Sequence, residues 1–185
     1  HLAKNSLYKS VTIADLLPAY DFHHRFYRLQ KELDQNQLHL NLNLTKLNNL
    51  NDLSQHSNYD DVLYVTHDYY QSVTSKTKLM ELTAEACRFR KYLYFATPAE
   101  YDHFGYANPE SHYTDAEKKV LKINPNSTVI RSEIQESTEA FKGLARFPNF
   151  KPKTASSAEF AQTVCDVMAA KVQGKRILVR GKDDV

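Results

Sequence analysis

The chain has 185 residues, of which 42% are hydrophobic and 25% are charged. These values are ordinary for a soluble globular protein and suit one domain with a sizeable core. The net charge of +2 is too small to indicate a nucleic-acid-binding protein. Two cysteines do not make a disulfide scaffold, so Cys87 and Cys165 are predicted to be buried thiols.

The sequence contains no targeting or membrane-spanning segment that we recognise. No apolar run approaches the roughly 18 residues that a membrane span needs. Because the chain begins at His1 rather than at methionine, we expect a mature form from which a targeting segment has been removed.

Predicted strands alternate with predicted helices along the chain, which indicates βαβ units and a mostly parallel sheet. The first strand is predicted at 10–17 and the first helix at 22–33. The strand at 38–44 alternates leucine with polar residues, which is typical of a strand with one solvated face, at or near a sheet edge. The later elements are a short helix or loop at 48–57, a strand at 61–67, a helix at 73–90, a buried strand at 92–97, a helix at 114–123, a strand at 127–133, a helix at 157–172 and a strand at 176–181. A capping box of Thr114 and Glu117 is predicted to open the helix at 114–123.

Two sequence blocks carry a resemblance to a known superfamily. They are "DDVLYVTHDYYQSVTSKTKLMELTAEACRFRKYLYFAT" and "AEKKVLKINPNSTVIRSEI". Both resemble the atypical or extended short-chain dehydrogenase/reductase superfamily, and most closely the nucleotide-binding-fold accessory subunit of mitochondrial respiratory complex I. The resemblance extends over about 10–181 and is specific from 60 to 135. It implies a shortened, degenerate Rossmann-like α/β domain over 1–185, with a core at 10–135 and a reduced C-terminal segment at 136–185.

The turn that would hold a dinucleotide lacks the glycines of the family. The positions of the three glycines in the family's G-x-x-G-x-x-G turn fall on Pro18, Asp21 and His24. Proline removes an N–H donor, and a carboxylate at the helix N-terminus would repel a diphosphate. The resemblance therefore predicts that this turn does not hold NAD(P) in the family manner. A shifted alignment, in which Arg25 and Arg28 bind the phosphates, is the alternative.

The catalytic pair of the family is also missing from its expected positions. Active members use a tyrosine, a lysine four residues later and a serine at the end of the preceding strand. Ungapped alignment puts the tyrosine, lysine and serine positions at Pro109, Tyr113 and Ala96, with Thr97 beside the last. If Tyr113 is the tyrosine instead, the residue four positions later is Glu117, whose carboxylate would raise the pKa of a phenol. Lys118 lies one position off, about 100° round the helix.

The resemblance implies a non-catalytic accessory subunit that acts as a scaffold in a mitochondrial respiratory complex, most closely complex I. Its partners would be other subunits of that complex, with a peripheral membrane contact on the matrix side of the inner membrane and no nucleic acid. We expect no catalytic, cofactor-binding or metal-binding residues, and no cofactor. The alternatives are an NADPH-binding or active atypical short-chain reductase, and an accessory subunit of the mitochondrial ATP synthase or ribosome.

Four other features each have a structural interpretation and a functional one. The adjacent His23 and His24 are predicted to lie on the surface or against a partner rather than on a metal, which would favour i, i+4 spacing. A metal site from the loop histidines and acids would have to bring together Asp102, His103, Glu110 and His112. The aromatic loop at 101–106 would pack on the sheet rim or anchor a protein partner. The lysine-rich stretches at 149–153 and 171–182 would be solvated, or would contact anionic lipid or an acidic partner.

Overall fold

The computed structural model describes residues 1–15, 19–49, 52, 59, 61–65, 73–98, 112–132, 134–135 and 154–179. The chain forms two compact units, His1–Ser57 and Asn58–Val185. The prediction of one domain over 1–185 stays a prediction.

The first unit is a β–α–β arrangement. Its elements are β1 (Ser10–Asp15), α1 (Ala19–Gln35) and β2 (Asn41–Lys46). The two strands are parallel, and their register runs from Ser10 beside Asn41 to Asp15 beside Lys46. Helix α1 buries Leu33 and exposes Tyr27 on another face. Within the described part of the chain β2 pairs with β1 alone, and its exposure alternates as predicted.

The boundaries of this unit differ from the predicted ones. Helix α1 begins at Ala19 rather than at residue 22, and β2 begins at Asn41 rather than at residue 38. The reason for the second difference is the way the helix ends. Gln37 has a φ of 54°, and the Leu38 amide donates to the Leu33 carbonyl at 2.9 Å. This Schellman ending uses the first residues of the predicted strand.

The second unit is built on a parallel four-stranded sheet. Its strands are β3 (Asp61–Val65), β4 (Tyr92–Pro98), β5 (Thr128–Ser132) and β8 (Arg176–Val179), in the order β3-β4-β5-β8. The connecting helices are α2 (Val73–Ala86), α3 (His112–Ile123) and α4 (Ser157–Ala169). A two-residue parallel ladder joins β6 (Ile134–Gln135) to β7 (Thr154–Ala155). The predicted parallel α/β fold is confirmed.

Strand β4 forms the centre of the core in this unit. Five consecutive residues, Leu93 to Thr97, are at most 3% exposed. A strand covered on both faces needs such an uninterrupted buried run, and the prediction of a buried strand here is confirmed. Cys87 and Cys165 are buried and form no disulfide, and burial raises the pKa of the Cys87 thiol.

The predicted capping box is at the wrong helix. Helix α3 begins at His112, so Thr114 lies inside its first turn, where its hydroxyl accepts a hydrogen bond from Arg131 Nη2. A complete capping box opens α4 instead, because Ser156 Oγ accepts from the Glu159 amide and Glu159 accepts from the Ser156 amide.

Replacing Tyr94 with phenylalanine is expected to raise the free energy of unfolding by about 1 kcal/mol. The Tyr94 hydroxyl is buried and has no hydrogen-bond partner among the described residues. Burial, with Asp61 and then Tyr92 nearby, raises the pKa of Tyr94 to about 12. The unfolded tyrosine ionises near pH 10 and the folded one near pH 12. The free energy of unfolding is therefore unaffected by this titration below about pH 10 and falls as the pH rises toward 12.

Urea unfolding of the wild type and of Tyr94→Phe, at neutral pH and at about pH 11, would measure both effects. We expect the phenylalanine variant to be the more stable and to lose less stability in alkali. A less stable variant would mean that the hydroxyl has a hydrogen-bond partner in solution.

Candidate functional site

Of the three residues at the family's glycine positions, the structure describes only His24 in full. Pro18 lies outside the described residues. Asp21 is the third residue of α1, and its side chain is likewise outside them. His24, Arg25 and Arg28 are exposed on α1. The prediction that this turn does not hold NAD(P) in the family manner therefore stays a prediction.

The carboxyl end of β2 presents a cation. Lys46 is the last residue of the strand and is exposed, whereas the next residue, Leu47, is buried. Asp52 closes the following turn. Its Oδ2 accepts hydrogen bonds from the backbone amides of Asn48 and Asn49, at 2.9 and 3.3 Å. The Asp52 carboxylate is thus held by backbone amides, and β2 itself ends in a cation beside Asp15 of β1. In dinucleotide-binding βαβ units, an acid near this position binds the adenosine ribose of NAD, while a basic residue accommodates the 2′-phosphate of NADP.

The carboxyl ends of β4 and β5 carry a buried polar network in the second unit. Thr97 and Arg131 are neighbours in the parallel register, and α3 brings Glu117 between them. The Thr97 hydroxyl donates to Glu117 Oε1 at 3.0 Å. Arg131 Nε donates to the same oxygen at 3.1 Å, and Nη2 donates to Glu117 Oε2 at 2.6 Å. The arginine and the carboxylate therefore form a two-point ion pair of the strong, planar kind.

The network fixes the guanidinium group, and one of its nitrogens has no hydrogen-bond partner among the described residues. The side chain of Glu117 is 2% exposed and that of Arg131 is 24% exposed. Nη2 donates both to Glu117 and, at 2.9 Å, to Thr114 Oγ1. Nη1 makes no hydrogen bond within the described part of the chain. An oriented N–H group at this edge suits an oxygen acceptor of a ligand, because open α/β sheets bind ligands beyond the carboxyl ends of their strands.

Thr97 was predicted at the end of its strand and Glu117 in the first turn of the following helix. Arg131 was not predicted as a site residue. The signal for it was a cation within the otherwise buried strand "TVIRS", since a buried arginine needs a paired acid. Ala96 and Thr97 are both buried on β4. Pro109 and the side chain of Tyr113 lie outside the described residues.

The chemistry available to this network is that of binding rather than of proton transfer. The carboxylate of Glu117 is held by Arg131 and Thr97, and arginine stays protonated in proteins. Lys118 is exposed and lies 3.6 Å from Asp115. The absence of the tyrosine–lysine pair stays a prediction.

Several other predicted features lie outside the described residues. They are Asp102, His103, Glu110, the side chain of His112, the loop at 101–106, the stretch at 149–153 and residues 180–182. Among the residues that the structure does describe, no group of three or more histidine, cysteine or acidic side chains could hold a metal ion. Within the same residues, no helix has both the length and the apolar character needed to cross a membrane.

Comparisons with known proteins relate the chain to others through its fold. No protein-family model matches the chain, and no curated protein matches its sequence. A triphenylmethane reductase of Citrobacter sp., solved in complex with NADP(H), superposes with a TM-score of 0.59 at 14% identity over 85% of this chain. A nucleoside-diphosphate-sugar epimerase of Staphylococcus aureus superposes with a TM-score of 0.61 at 10% identity, over 93% of this chain and 71% of the epimerase. The chain spans 58% of the length of the reductase.

These similarities correct the functional prediction. The expectation of a non-catalytic scaffold in a mitochondrial respiratory complex is wrong, because the solved structures that share the fold are a reductase and a sugar epimerase. The mitochondrial part of the expectation came from the resemblance of the two sequence blocks, and its non-catalytic part came from the missing glycines and the missing tyrosine–lysine pair. The chain has the Rossmann-like α/β fold of these reductase and epimerase structures.

Proposed function

We propose that the chain is an NADP(H)-binding protein of the atypical short-chain reductase kind. The observation that carries the proposal is Lys46, an exposed cation at the carboxyl end of β2. An ammonium group there would bind the 2′-phosphate of NADP(H), which NAD(H) lacks. The similarity to a reductase that was solved with NADP(H) supports the same cofactor.

The residues of the first unit fit the phosphorylated ribose. Lys46 ends a parallel strand that lies beside β1 in a β–α–β arrangement, as the adenosine half of a dinucleotide requires. Two acids lie near this strand end: Asp52 is held by the amides of Asn48 and Asn49, and Asp15 is beside Lys46 in the parallel register. When bound, NADPH supplies a hydride.

The second unit supports a ligand site of its own. Glu117 neutralises most of the charge of Arg131 through a two-point ion pair, so the open Nη1 favours a carbonyl oxygen over a free anion. We assign to Arg131 the role of orienting a carbonyl oxygen of a ligand that binds at this edge of the second unit.

The proposal is tested by titrating NADPH and NADH into the purified chain and following nicotinamide fluorescence. We expect saturable binding with a preference for NADPH of about tenfold or more, the effect of one charge-assisted contact to a phosphate. Lys46→Asp should abolish that preference, because an acid at this position selects the free ribose hydroxyl.

The matched control is Lys9→Asp. Lys9 is exposed and precedes β1 at the opposite end of the same sheet, so the variant has the same net charge as Lys46→Asp. It should keep the preference for NADPH. Absence of saturable NADPH binding in the wild type would refute the proposed function. Equal losses in both variants would show that Lys46 acts only through overall charge.

A further inference from the structure

The amino end of the four-stranded sheet in the second unit forms a continuous surface. Three turns meet there, because α2, α3 and α4 end where β4, β5 and β8 begin. The Asn124 side chain donates to the Arg90 carbonyl at 3.1 Å, and the Gln173 side chain donates to the Lys91 carbonyl at 3.0 Å. The Gly174 amide donates to the Asn126 carbonyl at 3.2 Å. These contacts join the three turns into one surface.

The surface is strongly basic. Six exposed cations lie on it, and we call them the basic edge: Arg88, Lys91, Lys122, Lys171, Lys175 and Arg176. Among the described residues, the acids at this end are Asp61, whose buried carboxylate pairs with Lys171, and the exposed Glu85 and Asp166 in the last turns of α2 and α4. The three helix C-termini each add about half a negative charge. The basic edge therefore keeps a net positive charge of roughly one to two.

An exposed aromatic ring projects from the same surface. Phe89 is 87% exposed, and the Arg88 guanidinium lies 4.6 Å from the centre of its ring. The only other ring among the cations of this edge, within the described residues, is Tyr92. It is occupied by two ammonium groups, those of Lys91 at 5.2 Å and Lys171 at 4.8 Å. The surface thus offers one apolar anchor within a cluster of cations.

We propose that the basic edge docks on the surface of an anionic lipid bilayer. Lysine and arginine near such a surface are attracted by its negative potential, and one aromatic side chain between them inserts at the level of the headgroups. Single-stranded nucleic acid fits less well, because it binds to a series of open rings on which successive bases stack. Lysine ammonium groups lie over Tyr92, and the Arg88 guanidinium lies over one face of Phe89, so the surface offers no series of open rings. This docking is independent of the proposed NADP(H) site, which lies in the other unit.

The test is co-sedimentation of the full chain with phosphatidylcholine vesicles, with and without phosphatidylserine. We expect the chain to bind the anionic vesicles and to bind neutral vesicles at least tenfold more weakly. Lys91→Gln combined with Lys175→Gln should weaken binding at least tenfold at low salt, since each lysine contributes about fivefold. Phe89→Ser should weaken it by about tenfold.

Matched controls distinguish binding through the basic edge from effects of net charge and of exposed apolar surface in general. Lys78→Gln combined with Lys118→Gln removes the same charge from exposed positions on α2 and α3. Leu82→Ser removes a 42% exposed apolar side chain from α2. Both controls should bind like the wild type. Equal losses in test and control variants, equal binding to neutral vesicles, or tighter binding to a single-stranded oligonucleotide than to anionic vesicles would each overturn the proposal.

Discussion

Replacing Arg131 with methionine is expected to lower the free energy of unfolding by about 3 kcal/mol. The change removes three hydrogen bonds, two of them to Glu117, whose side chain is 2% exposed. The methionine leaves that carboxylate inside the protein, with the Thr97 hydroxyl as its remaining hydrogen-bond partner among the described residues. A buried charge without its counter-ion is far more costly than the loss of the attraction itself.

A double variant separates these two causes. Arg131→Met combined with Glu117→Met removes both charges and retains an apolar filling, so its stability should lie within about 1 kcal/mol of the wild type. Lys118→Met breaks the exposed pair with Asp115 on the same helix and should change stability by less than about 0.5 kcal/mol. Urea unfolding of the four proteins measures all of these values. A double variant as unstable as Arg131→Met would show that Glu117 is not the source of the loss.

The parallel fold could be predicted because its signals are local. The five buried residues of β4 are consecutive in the sequence, and the alternation of β2 can be seen in its letters. A strand pattern is a property of neighbouring residues, so a single sequence contains it.

The element boundaries and the polar network could not be predicted in the same way. Helix α1 ends through a contact between Leu38 and Leu33 that takes over part of the expected strand. Glu117 and Arg131 are 14 residues apart, and only the crossing of α3 beside the end of β5 brings them together. Such pairs are decided by tertiary structure, which residue spacing alone does not give.

The predicted loss of function illustrates a further limit. Pro18, Asp21 and His24 were judged against a glycine pattern, and their residue types argued against a diphosphate. That test addresses one turn and does not address the carboxyl end of β2, where Lys46 lies. The residues of one turn do not decide whether a binding site is assembled from several strand ends.

Lys171 presents a conflict between backbone and side chain that leads to the second large effect. Helix α4 ends in a Schellman motif, in which the Val172 amide donates to the Val167 carbonyl and the Lys171 amide donates to the Met168 carbonyl. Lys171 occupies the left-handed position with a φ of 51°, where glycine is usual. Its ammonium group pairs with Asp61, whose side chain is 2% exposed, and lies over Tyr92. We infer that the ion pair offsets the backbone strain.

Lys171→Met is therefore expected to lower the free energy of unfolding by about 2 to 3 kcal/mol. This loss is somewhat smaller than the loss from breaking a fully buried ion pair, because Lys171 is 40% exposed and water screens its charge. Lys171→Gly loses the same ion pair but relieves the strain of a left-handed residue, so it should be about 1 kcal/mol more stable than the methionine variant. Lys171→Met combined with Asp61→Asn should recover part of the loss, since no buried carboxylate remains. Urea unfolding distinguishes the three variants. If glycine and methionine proved equally destabilising, the backbone at this position would carry no strain, and the lysine would be retained for its side chain alone.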